Sequence, residues 1–286
     1  MSLIRKKMTV LVNSCDAYSD VWAFFFSALN EYWPDRKLKV VLNIERKNPD
    51  LGKNVVVSNF EGRGSNDSWG LRLIESLEKI ETEYVLVVYD DFVLEGVIDE
   101  LELNEIVLKM ESDLDIAAVY LTKLGLKTKE NTCLMCDRKE GNKYVLLDSK
   151  VDYRLNSAPA IWRRKDLLNY TGVFDNPWAW EVFGTFRTFG DGKKLYCPGK
   201  NEEDIFEYNY NKGGAIYRGK WVRDVVADKN EKYNLNVDFS ERGFSVDNGH
   251  EKRSLKWKVD FILLGYKVVG LKVFSFIYRS LKSKLL

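Results

Sequence analysis

A continuous apolar run, YVLVVY at residues 84–89, ends directly in two adjacent carboxylates, Asp90 and Asp91. A run of this length without polar alternation predicts a strand buried on both faces, which is typical of a parallel sheet covered by helices. Two like charges at a strand end repel each other and lose hydration, so they persist where solvent reaches them or where they share a cation. The fold must therefore combine a buried central strand with a polar edge at its carboxyl end.

The segments around this strand alternate between strand and helix patterns. We predict strands at 8–13, 38–43, 55–58 and 116–120, and helices at 20–32, 68–79 and 99–112. This order predicts an α/β fold with βαβ crossovers, a mostly parallel sheet and flanking helices. Because the carboxyl ends of parallel strands meet at one edge, the polar residues at 14–16, 43–45 and 90–91 should lie on the same rim.

The second half of the chain is less regular. We predict strands at 144–147 and 151–155, a short helix at 164–169, a helix that begins at Pro177 and runs to 189, and a helix at 221–234. The sequence has no linker-like stretch before about residue 236. We therefore expect one domain over residues 1–235 and a separate tail over 236–286.

Composition excludes several classes of protein. The chain has 286 residues, of which 45% are hydrophobic and 30% charged, as in a folded protein with a full core. The formal net charge of +1 gives no reason to expect a nucleic-acid partner. Four scattered cysteines indicate a reducing compartment, and the first 20 residues lack the long apolar segment of a signal peptide. These features predict a cytoplasmic protein.

The segment GSNDSWGLRLIESLEKIETEYVLVVYDDF, residues 64–92, resembles the donor-binding half of GT-A glycosyltransferases. In that family a polar turn leads into a helix, the helix into a strand, and the strand into an acidic motif of the DxD type. The resemblance covers residues 8–96 and departs from the motif at Tyr89, where the first acid would stand. It implies a GT-A (Rossmann-like) fold, with a nucleotide-sugar half at 1–96 and an acceptor half at 97–235.

The same resemblance implies a site for a nucleotide sugar, most simply a UDP-sugar, on the rim. Asp91 would lie nearest to a Mn²⁺ or Mg²⁺ ion, and Asp90 would face the ribose or phosphate and serve as a second metal ligand. The other implied donor-binding residues are Asn13, Asp16, Glu45, Asp67, Trp69 and Arg72. Two alternatives remain: the carboxylates could form a solvated turn, and Trp69 could belong to the core.

A second segment, NPWAWEVFGTF at 176–186, resembles the acceptor half of bacterial polysaccharide glycosyltransferases, where an aromatic-rich stretch precedes an acidic catalytic residue. The resemblance makes Glu181 the candidate general base and Asp175 the second candidate. Aromatic rings around a carboxyl group raise its pKa and offer flat faces to a sugar. The alternative is that the tryptophans are core residues and Glu181 caps a helix or pairs with Arg187.

Two smaller motifs allow a functional and a structural interpretation. GGAIYRGKW at 213–221 combines a flexible turn with Arg218 and Lys220, which could close over a diphosphate; a solvated loop is the alternative. Cys133 and Cys136 form a CxxC pair, but zinc needs two further ligands at matching spacing, and only Cys15, Cys197 and His250 remain. We therefore expect a loop there. The single histidine also argues against His-based triads and favours a carboxylate base.

The tail is basic and rich in aromatic residues: residues 254–286 contain seven Lys or Arg and one Asp. Lys267 and Lys272 interrupt the apolar run, which argues against a spanning helix. A basic amphipathic helix lying in the interface of an anionic membrane fits better. Packing against the body or against another subunit is the alternative.

Together these features predict a peripheral enzyme on the inner face of the cell membrane. It would move a sugar from a nucleotide sugar to a glycan or lipid-linked acceptor in bacterial polysaccharide synthesis, with inversion through Glu181. A nucleotidyltransferase of related fold and a non-catalytic carbohydrate-binding or scaffold protein are the alternatives. The possibility of a homo-oligomer stays open.

Overall fold

The computed structural model describes residues 2–52, 54–59, 68–134, 143–210, 213–246 and 254–285. Within these ranges a nine-stranded sheet forms the centre of the molecule, and a two-stranded hairpin lies apart from it. The strands are β1 Met8–Asn13, β2 Val40–Asn43, β3 Val55–Ser58, β4 Tyr84–Tyr89, β5 Ile116–Tyr120, β6 Thr128–Cys133, β7 Tyr144–Leu147, β8 Ala160–Arg163, β9 Lys194–Pro198, β10 Ile216–Tyr217 and β11 Lys220–Trp221. The helices are α1 Leu3–Lys7, α2 Trp22–Tyr32, α3 Trp69–Lys79, α4 Glu100–Ser112, α5 Arg164–Tyr170, α6 Pro177–Val182, α7 Arg223–Lys232, α8 Leu255–Val269 and α9 Val273–Leu285.

The central sheet is mixed but mostly of one direction. Its strand order is β3-β2-β1-β4-β8-β5-β9-β7-β6. The four strands from β3 to β4 pair in parallel, while β8 is antiparallel to both of its neighbours and β7 to both of its own. Within the nine-stranded sheet, as far as its residues are described, β7 and β8 alone therefore run against the rest, since β5 and β9 pair in parallel; the predicted α/β fold with a mostly parallel sheet is confirmed.

The ends of the four parallel strands lie at one level. Asn13 pairs in register with Asn43 and with Tyr89, and Asn43 pairs with Ser58. The chain leaves β1 to build β2 and β3 on one side and then returns to place β4 on the other side. Loops after β1 and β4 therefore diverge, which opens a crevice at the position where open α/β sheets bind ligands.

Helices cover both faces of the sheet, which explains why β1 and β4 are apolar throughout. Alternate residues of β1 pack into two separate cores: Val10 and Val12 face α2, α4 and α7, whereas Leu11 faces α3 and α5. Helix α3 begins as predicted, with the hydroxyl of Ser68 accepting a hydrogen bond from the Leu71 amide at 3.2 Å. Such a cap contributes about 1 kcal/mol.

Two elements predicted in the second half have a different form in the structure, and the strands β6, β8 and β9 were not predicted. Residues 151–155 form a turn instead of a strand: Tyr153 has φ 59° and the buried guanidinium of Arg154 donates to the carbonyls of Thr188 and Lys193 at 3.0 and 2.6 Å. The helix that begins at Pro177 ends at Val182 and continues as a 3₁₀ turn, Gly184–Arg187, so it is shorter than predicted. The side chain of Cys133, together with Asp67, Cys136 and His250, lies outside the described residues.

The strand β8 was not predicted at all. Its four residues, AIWR, are too few for a periodic pattern, and it lies between β4 and β5 through long-range antiparallel pairing. It carries the chain that precedes it, residues 156–159, to the rim beside β4.

The tail is helical, as predicted, but it is two helices. Gly270 ends α8 with φ 58°, a conformation that favours glycine, and the 3₁₀ turn Gly270–Lys272 leads into α9. The stretch that precedes α8 also contacts the body, since Arg242 pairs with Asp20 at 2.5 Å.

Candidate active site

A cleft of 480 Å³ opens where β1 and β4 end. This volume lies within the range of small-molecule sites. We call it the rim cleft, and its described lining residues are Asn13, Ser14, Cys15, Tyr18, Trp69, Arg72, Tyr89, Asp90, Asp91, Phe92, Ser157 and Pro177. The structure thus brings five of the predicted site residues together here: Asn13, Trp69, Arg72, Asp90 and Asp91.

Asp90 is fixed by the residues that follow β1 and begin α2. Its Oδ2 accepts hydrogen bonds from the Ser14 hydroxyl and from the Trp22 indole N–H, the latter at 3.2 Å. The Trp22 N–H also lies 2.6 Å from the Ser14 oxygen, so the three groups form one buried network. Asp90 itself is 2% exposed. This network sets the orientation of the acidic turn.

Asp91 is partly exposed and faces the rim cleft. Burial raises the pKa of both carboxyl groups, and the charge of Asp90 raises the pKa of Asp91 further. Hydrogen bonds from Ser14 and Trp22 oppose the rise in the pKa of Asp90. A cation between these groups and a ligand would relieve their repulsion.

The donor set fits a magnesium or manganese ion of the kind that binds nucleotides. Such ions take one or two carboxylates and complete their shell with phosphate oxygens and water. Asp91 and Asp90 supply two adjacent hard oxygen donors at the cleft, whereas the described residues contain no group of three or more His, Cys, Asp and Glu that could hold a metal unaided. Any ion here would need ligands from a bound phosphate or from water.

The acidic turn, which consists of Asp90 and Asp91, is also held by a residue far later in the sequence. The Ala215 amide donates to the Asp91 carbonyl at 2.7 Å. Gly214 has φ 110°, and a Cβ on it would lie 2.5 Å from that carbonyl oxygen. Only glycine satisfies both conditions, which explains one of the three glycines in the GGAIYRGKW motif.

Arg72 supplies positive charge on the α3 side of the cleft. It is 6% exposed and its Nη1 lies 2.9 Å from the Glu45 carboxylate. Glu45 in turn accepts a hydrogen bond from the Asp16 amide, and the Asp16 carboxylate accepts from the amides of Arg46 and Lys47 at 3.1–3.3 Å. Glu45 is therefore one contact removed from the cleft lining and Asp16 two, and together they position Arg72 and the loop after β1.

Trp69 has both of the roles considered from the sequence. Its ring is 8% exposed and packs on Trp180 with ring centroids 5.9 Å apart, yet one side of it lines the rim cleft. It is a core residue that also forms a wall of the site.

Glu181 does not line the cleft itself, but it contacts a residue that does. Its Oε1 accepts a hydrogen bond from the Ser157 amide at 2.6 Å. Burial raises the pKa of Glu181, and hydrogen bonds from Ser157 oppose this rise. The charges of Glu181 and Asp91 both act on the hydroxyl of Tyr89, whose pKa is raised mainly by burial. Tyr89 thus lies near both the acidic turn and the candidate base.

Asp175 has a structural environment. It is 0% exposed and forms a bidentate ion pair with Arg187 at 2.5 and 2.8 Å, while the Gly172 amide donates to it at 2.7 Å. A carboxylate with these partners has no free oxygen directed at the rim cleft, so we retain Glu181 alone as the candidate base. The alternative pairing of Glu181 with Arg187 is not seen: Arg187 pairs with Asp175.

Arg218 and Lys220 lie on the exposed hairpin of β10 and β11, outside the lining of the rim cleft. Arg218 has φ 52° and its guanidinium lies over the ring of Tyr217 at 5.4 Å. The hairpin follows directly from the Ala215 contact with the acidic turn. In this conformation the two cations neighbour the site without entering it.

Several lining residues were missed from the sequence. Tyr18 follows β1 in the 3₁₀ turn Asp16–Tyr18, and its ring lies under the Arg242 guanidinium at 4.9 Å. Phe92 stacks on Tyr208 at 4.4 Å. Ser157 reaches the cleft only because β8 pairs with β4. The polar end of β1 predicts that the residues just after it, near Tyr18, lie at the rim. No local pattern in the sequence predicts the position of Ser157.

No family model and no curated protein matches the chain. Among solved structures, TarS from S. aureus is 15% identical, with 92% of this chain and 50% of that chain covered and a TM-score of 0.47. The galactosyltransferase LgtC, solved with donor and acceptor sugar analogs, is 14% identical over 66% of this chain and 73% of that chain, with a TM-score of 0.36. The CMP-2-keto-3-deoxy-manno-octonic acid synthetase complexed with CTP is 13% identical over 80% and 98%, with a TM-score of 0.41.

The chain therefore spans about half the length of TarS, of which a 1–349 segment has also been solved in complex with UDP. At 13–15% identity these solved structures are similar to the chain in fold alone.

Proposed function

We propose that this protein is a glycosyltransferase that uses a nucleotide sugar, most simply a UDP-sugar, and transfers the sugar to a hydroxyl group of a glycan or lipid-linked acceptor. The observation that carries the proposal is the rim cleft, where an acidic turn and a buried arginine face one space at the switch point of the sheet. A glutamate of raised pKa lies one contact away.

The donor half of the cleft suits a nucleoside diphosphate. The Asp90 and Asp91 carboxylates would hold Mn²⁺ or Mg²⁺ against the diphosphate, and the ion would supply positive charge to the leaving group. Arg72 offers a second positive charge from the opposite wall, and Tyr18 and Trp69 offer aromatic faces to the base or sugar. Lowering of the charge on the leaving phosphate is the main electrostatic contribution in such transfers.

The acceptor side uses Glu181 as general base. Its carboxylate takes the proton of the acceptor hydroxyl as the oxygen attacks the anomeric carbon. The bond from that carbon to the phosphate oxygen breaks, and its electron pair leaves with the diphosphate. One displacement of this kind inverts the configuration, so NMR of the product must show the opposite anomer to the donor; a retained anomer would contradict the base role.

UDP should bind the wild-type protein more tightly with Mn²⁺ than without it. Asp91→Asn should weaken binding of UDP with Mn²⁺ by about tenfold or more, equivalent to about 1.4 kcal/mol, because a charged ligand to the ion is lost. Isothermal titration in both conditions measures this, and Asp35→Asn, at an exposed aspartate outside the cleft lining, is the matched control. Absence of UDP binding in both conditions would remove the basis for a UDP-sugar donor.

The pH profile should report the raised pKa of Glu181. A general base works deprotonated, so kcat/KM should fall as the pH decreases through a pKa above the ordinary glutamate range. Among the described residues, the charge of Glu181 acts on the hydroxyls of Tyr89, Tyr120, Tyr153 and Tyr208, and each of these has a raised pKa and is therefore neutral in this pH range.

Ser157→Ala tests whether Glu181 causes the acidic limb of the pH profile, the range in which kcat/KM falls as the pH decreases. Removal of a hydroxyl that hydrogen-bonds the charged form of Glu181 should move the limb to higher pH. A limb that stays in place in Ser157→Ala would assign it to another group.

The nucleotidyltransferase alternative has less support from the site. Enzymes of that kind hold their triphosphate in a glycine-rich basic loop after the first strand, whereas SCDAYSD at residues 14–20 contains neither glycine nor a basic residue. Release of pyrophosphate from CTP or UTP with a sugar 1-phosphate would favour that alternative instead. Binding of sugars without binding of any nucleotide would favour the scaffold.

A further inference from the structure

The helices α8 and α9 pack one side against the body of the protein. Phe261 of α8 lies against Trp178 and Phe183, with ring centroids 4.4 and 4.6 Å apart. A Cβ on Gly265 would lie 2.7 Å from the Phe183 ring, so this helix approaches closely because the residue is glycine. Val273 of α9 is 2% exposed in the same cluster. The inner side of both helices is thus already occupied.

The opposite sides of these helices carry large apolar side chains in solvent. On α8 they recur at intervals of three or four residues, which places them on one face opposite Phe261 and Gly265. Each is more than half exposed. We call this set the outer stripe, and it consists of Leu255, Val259, Leu263 and Tyr266 on α8, with Leu271, Phe274, Tyr278 and Leu281 on the 3₁₀ turn and α9. A cluster of exposed apolar residues of this size marks an interaction surface.

Cations flank the outer stripe. At 100° per residue, Lys256 and Lys267 fall on one edge of the α8 stripe and Lys258 on the other, and Lys282 follows Leu281 on α9. All four lysines are exposed. Asp260 is the single acid among the described residues 254–285.

We propose that the outer stripe docks in the interface of an anionic lipid bilayer, with α8 and α9 lying on the membrane. An apolar face with aromatic residues and flanking lysines is complementary to acyl chains below and acidic headgroups above. A second copy of this chain would instead bring like charges together along the same stripe. The charge pattern therefore favours lipid over self-association.

The packing of the tail also distinguishes a surface helix from a spanning one. By length and composition Leu255–Lys282 would suffice to cross a bilayer. However, Gly270 breaks the helix, and the tail is attached to the body on both sides of the break. Arg187 donates to the Val268 carbonyl at 2.9 Å and Lys272 to the Phe186 carbonyl at 3.1 Å. Spanning would require release of all these contacts, whereas interfacial docking preserves them.

Docking would bring the rim cleft close to the lipid surface. Pro177 lines the cleft, and the next residue, Trp178, stacks on Trp257 of α8 at 4.8 Å. Resting on the proposed function, this proximity assigns the acceptor to the class of lipid-linked molecules. Vesicle binding itself involves no transfer, so failure of one proposal is distinguishable from failure of the other.

The full-length protein should sediment with vesicles of phosphatidylcholine and phosphatidylglycerol, and less with phosphatidylcholine alone. Binding should decrease as salt is raised. Leu263→Glu with Leu281→Glu should lower binding by roughly tenfold or more, since two apolar contacts are replaced by charges. The matched control is Leu101→Glu with Leu108→Glu on α4, where both leucines are also more than half exposed; it should bind as the wild type.

A second variant, Lys256→Glu with Lys258→Glu, tests the charges without touching the apolar residues and should abolish the preference for phosphatidylglycerol. Unchanged UDP binding and thermal unfolding show that each variant is folded. Four results would overturn the proposal: no binding to anionic vesicles, binding insensitive to lipid charge and salt, a concentration-dependent dimer that the leucine variant disrupts, and resistance to alkaline carbonate extraction.

Discussion

Glu181→Gln should lower kcat roughly 10²- to 10⁴-fold, the usual contribution of a positioned general base. Glutamine keeps the shape of the side chain and an oxygen that can accept the Ser157 amide at the observed distance of 2.6 Å. The packing of α6 should therefore survive, whereas the amide has no affinity for the acceptor proton. Initial rates with saturating donor and acceptor measure the loss.

Donor binding distinguishes loss of the general base from a general disturbance of the structure. Titration with UDP should give the same dissociation constant for Glu181→Gln as for the wild type, because Glu181 lies outside the donor half of the rim cleft. Glu203→Gln, at an exposed glutamate that does not line the cleft, should leave both quantities unchanged. Wild-type turnover in Glu181→Gln would show that another group accepts the proton, and loss of UDP binding would show a structural role.

Arg187→Met should produce the largest loss of stability, about 3–5 kcal/mol in the free energy of unfolding. Asp175 is fully buried, and without the guanidinium its charge would retain only the Gly172 amide. Arg187 also donates to the carbonyls of Tyr170 and Val268, so its removal weakens the contact between the tail and the acceptor side. Urea unfolding at neutral pH measures the change.

Two variants distinguish the cost of leaving the Asp175 carboxylate without its partner from the cost of losing hydrogen bonds to carbonyl groups. Arg164→Met removes an arginine that donates to the carbonyls of Thr82 and Leu77, and it should cost less because no carboxylate is left alone. Arg187→Met combined with Asp175→Asn should recover part of the stability lost in Arg187→Met alone. If the double variant is as unstable as the sum of the singles, the pair is not coupled and the buried-charge explanation fails.

The part of the site around Asp90 and Asp91 was predictable because the elements that carry it show local patterns. The apolar run of β4, the cap at Ser68 and the polar end of β1 each predict a strand or helix from fewer than ten residues of sequence. The parallel register of β1 and β4 then brings the carboxyl ends of these strands together. The polar rim with Asp90 and Asp91 follows from that reasoning, whereas Asn13, Trp69 and Arg72 were implied by the resemblance to GT-A glycosyltransferases.

The part of the site around Ser157 and Glu181 was harder to predict because long-range pairing builds it. Ser157 reaches the cleft through β8, a four-residue strand with no periodic signal, and the turn at 151–155 exists because Arg154 bonds to distant carbonyls. The structural role of Asp175 depends on Arg187, twelve residues later, which the sequence offered equally to Glu181. Composition and spacing do not choose between such partners; packing does.

The position of β8 has a consequence for exchange of parts between related enzymes. Under the proposed function, residues 1–96 would bind the donor and residues 97–235 the acceptor, and recombination could exchange these two parts at the boundary near residue 96. Here the hydrogen-bonding edge of β4 is closed by β8, and the backbone of the acidic turn is held by Ala215. In a chimera with its crossover at residue 96, β4 and the acidic turn would come from one protein, and the strand and the residue that hold them would come from another. Functional crossovers in this architecture should therefore fall outside residues 84–215, so that the two halves are inherited as one unit.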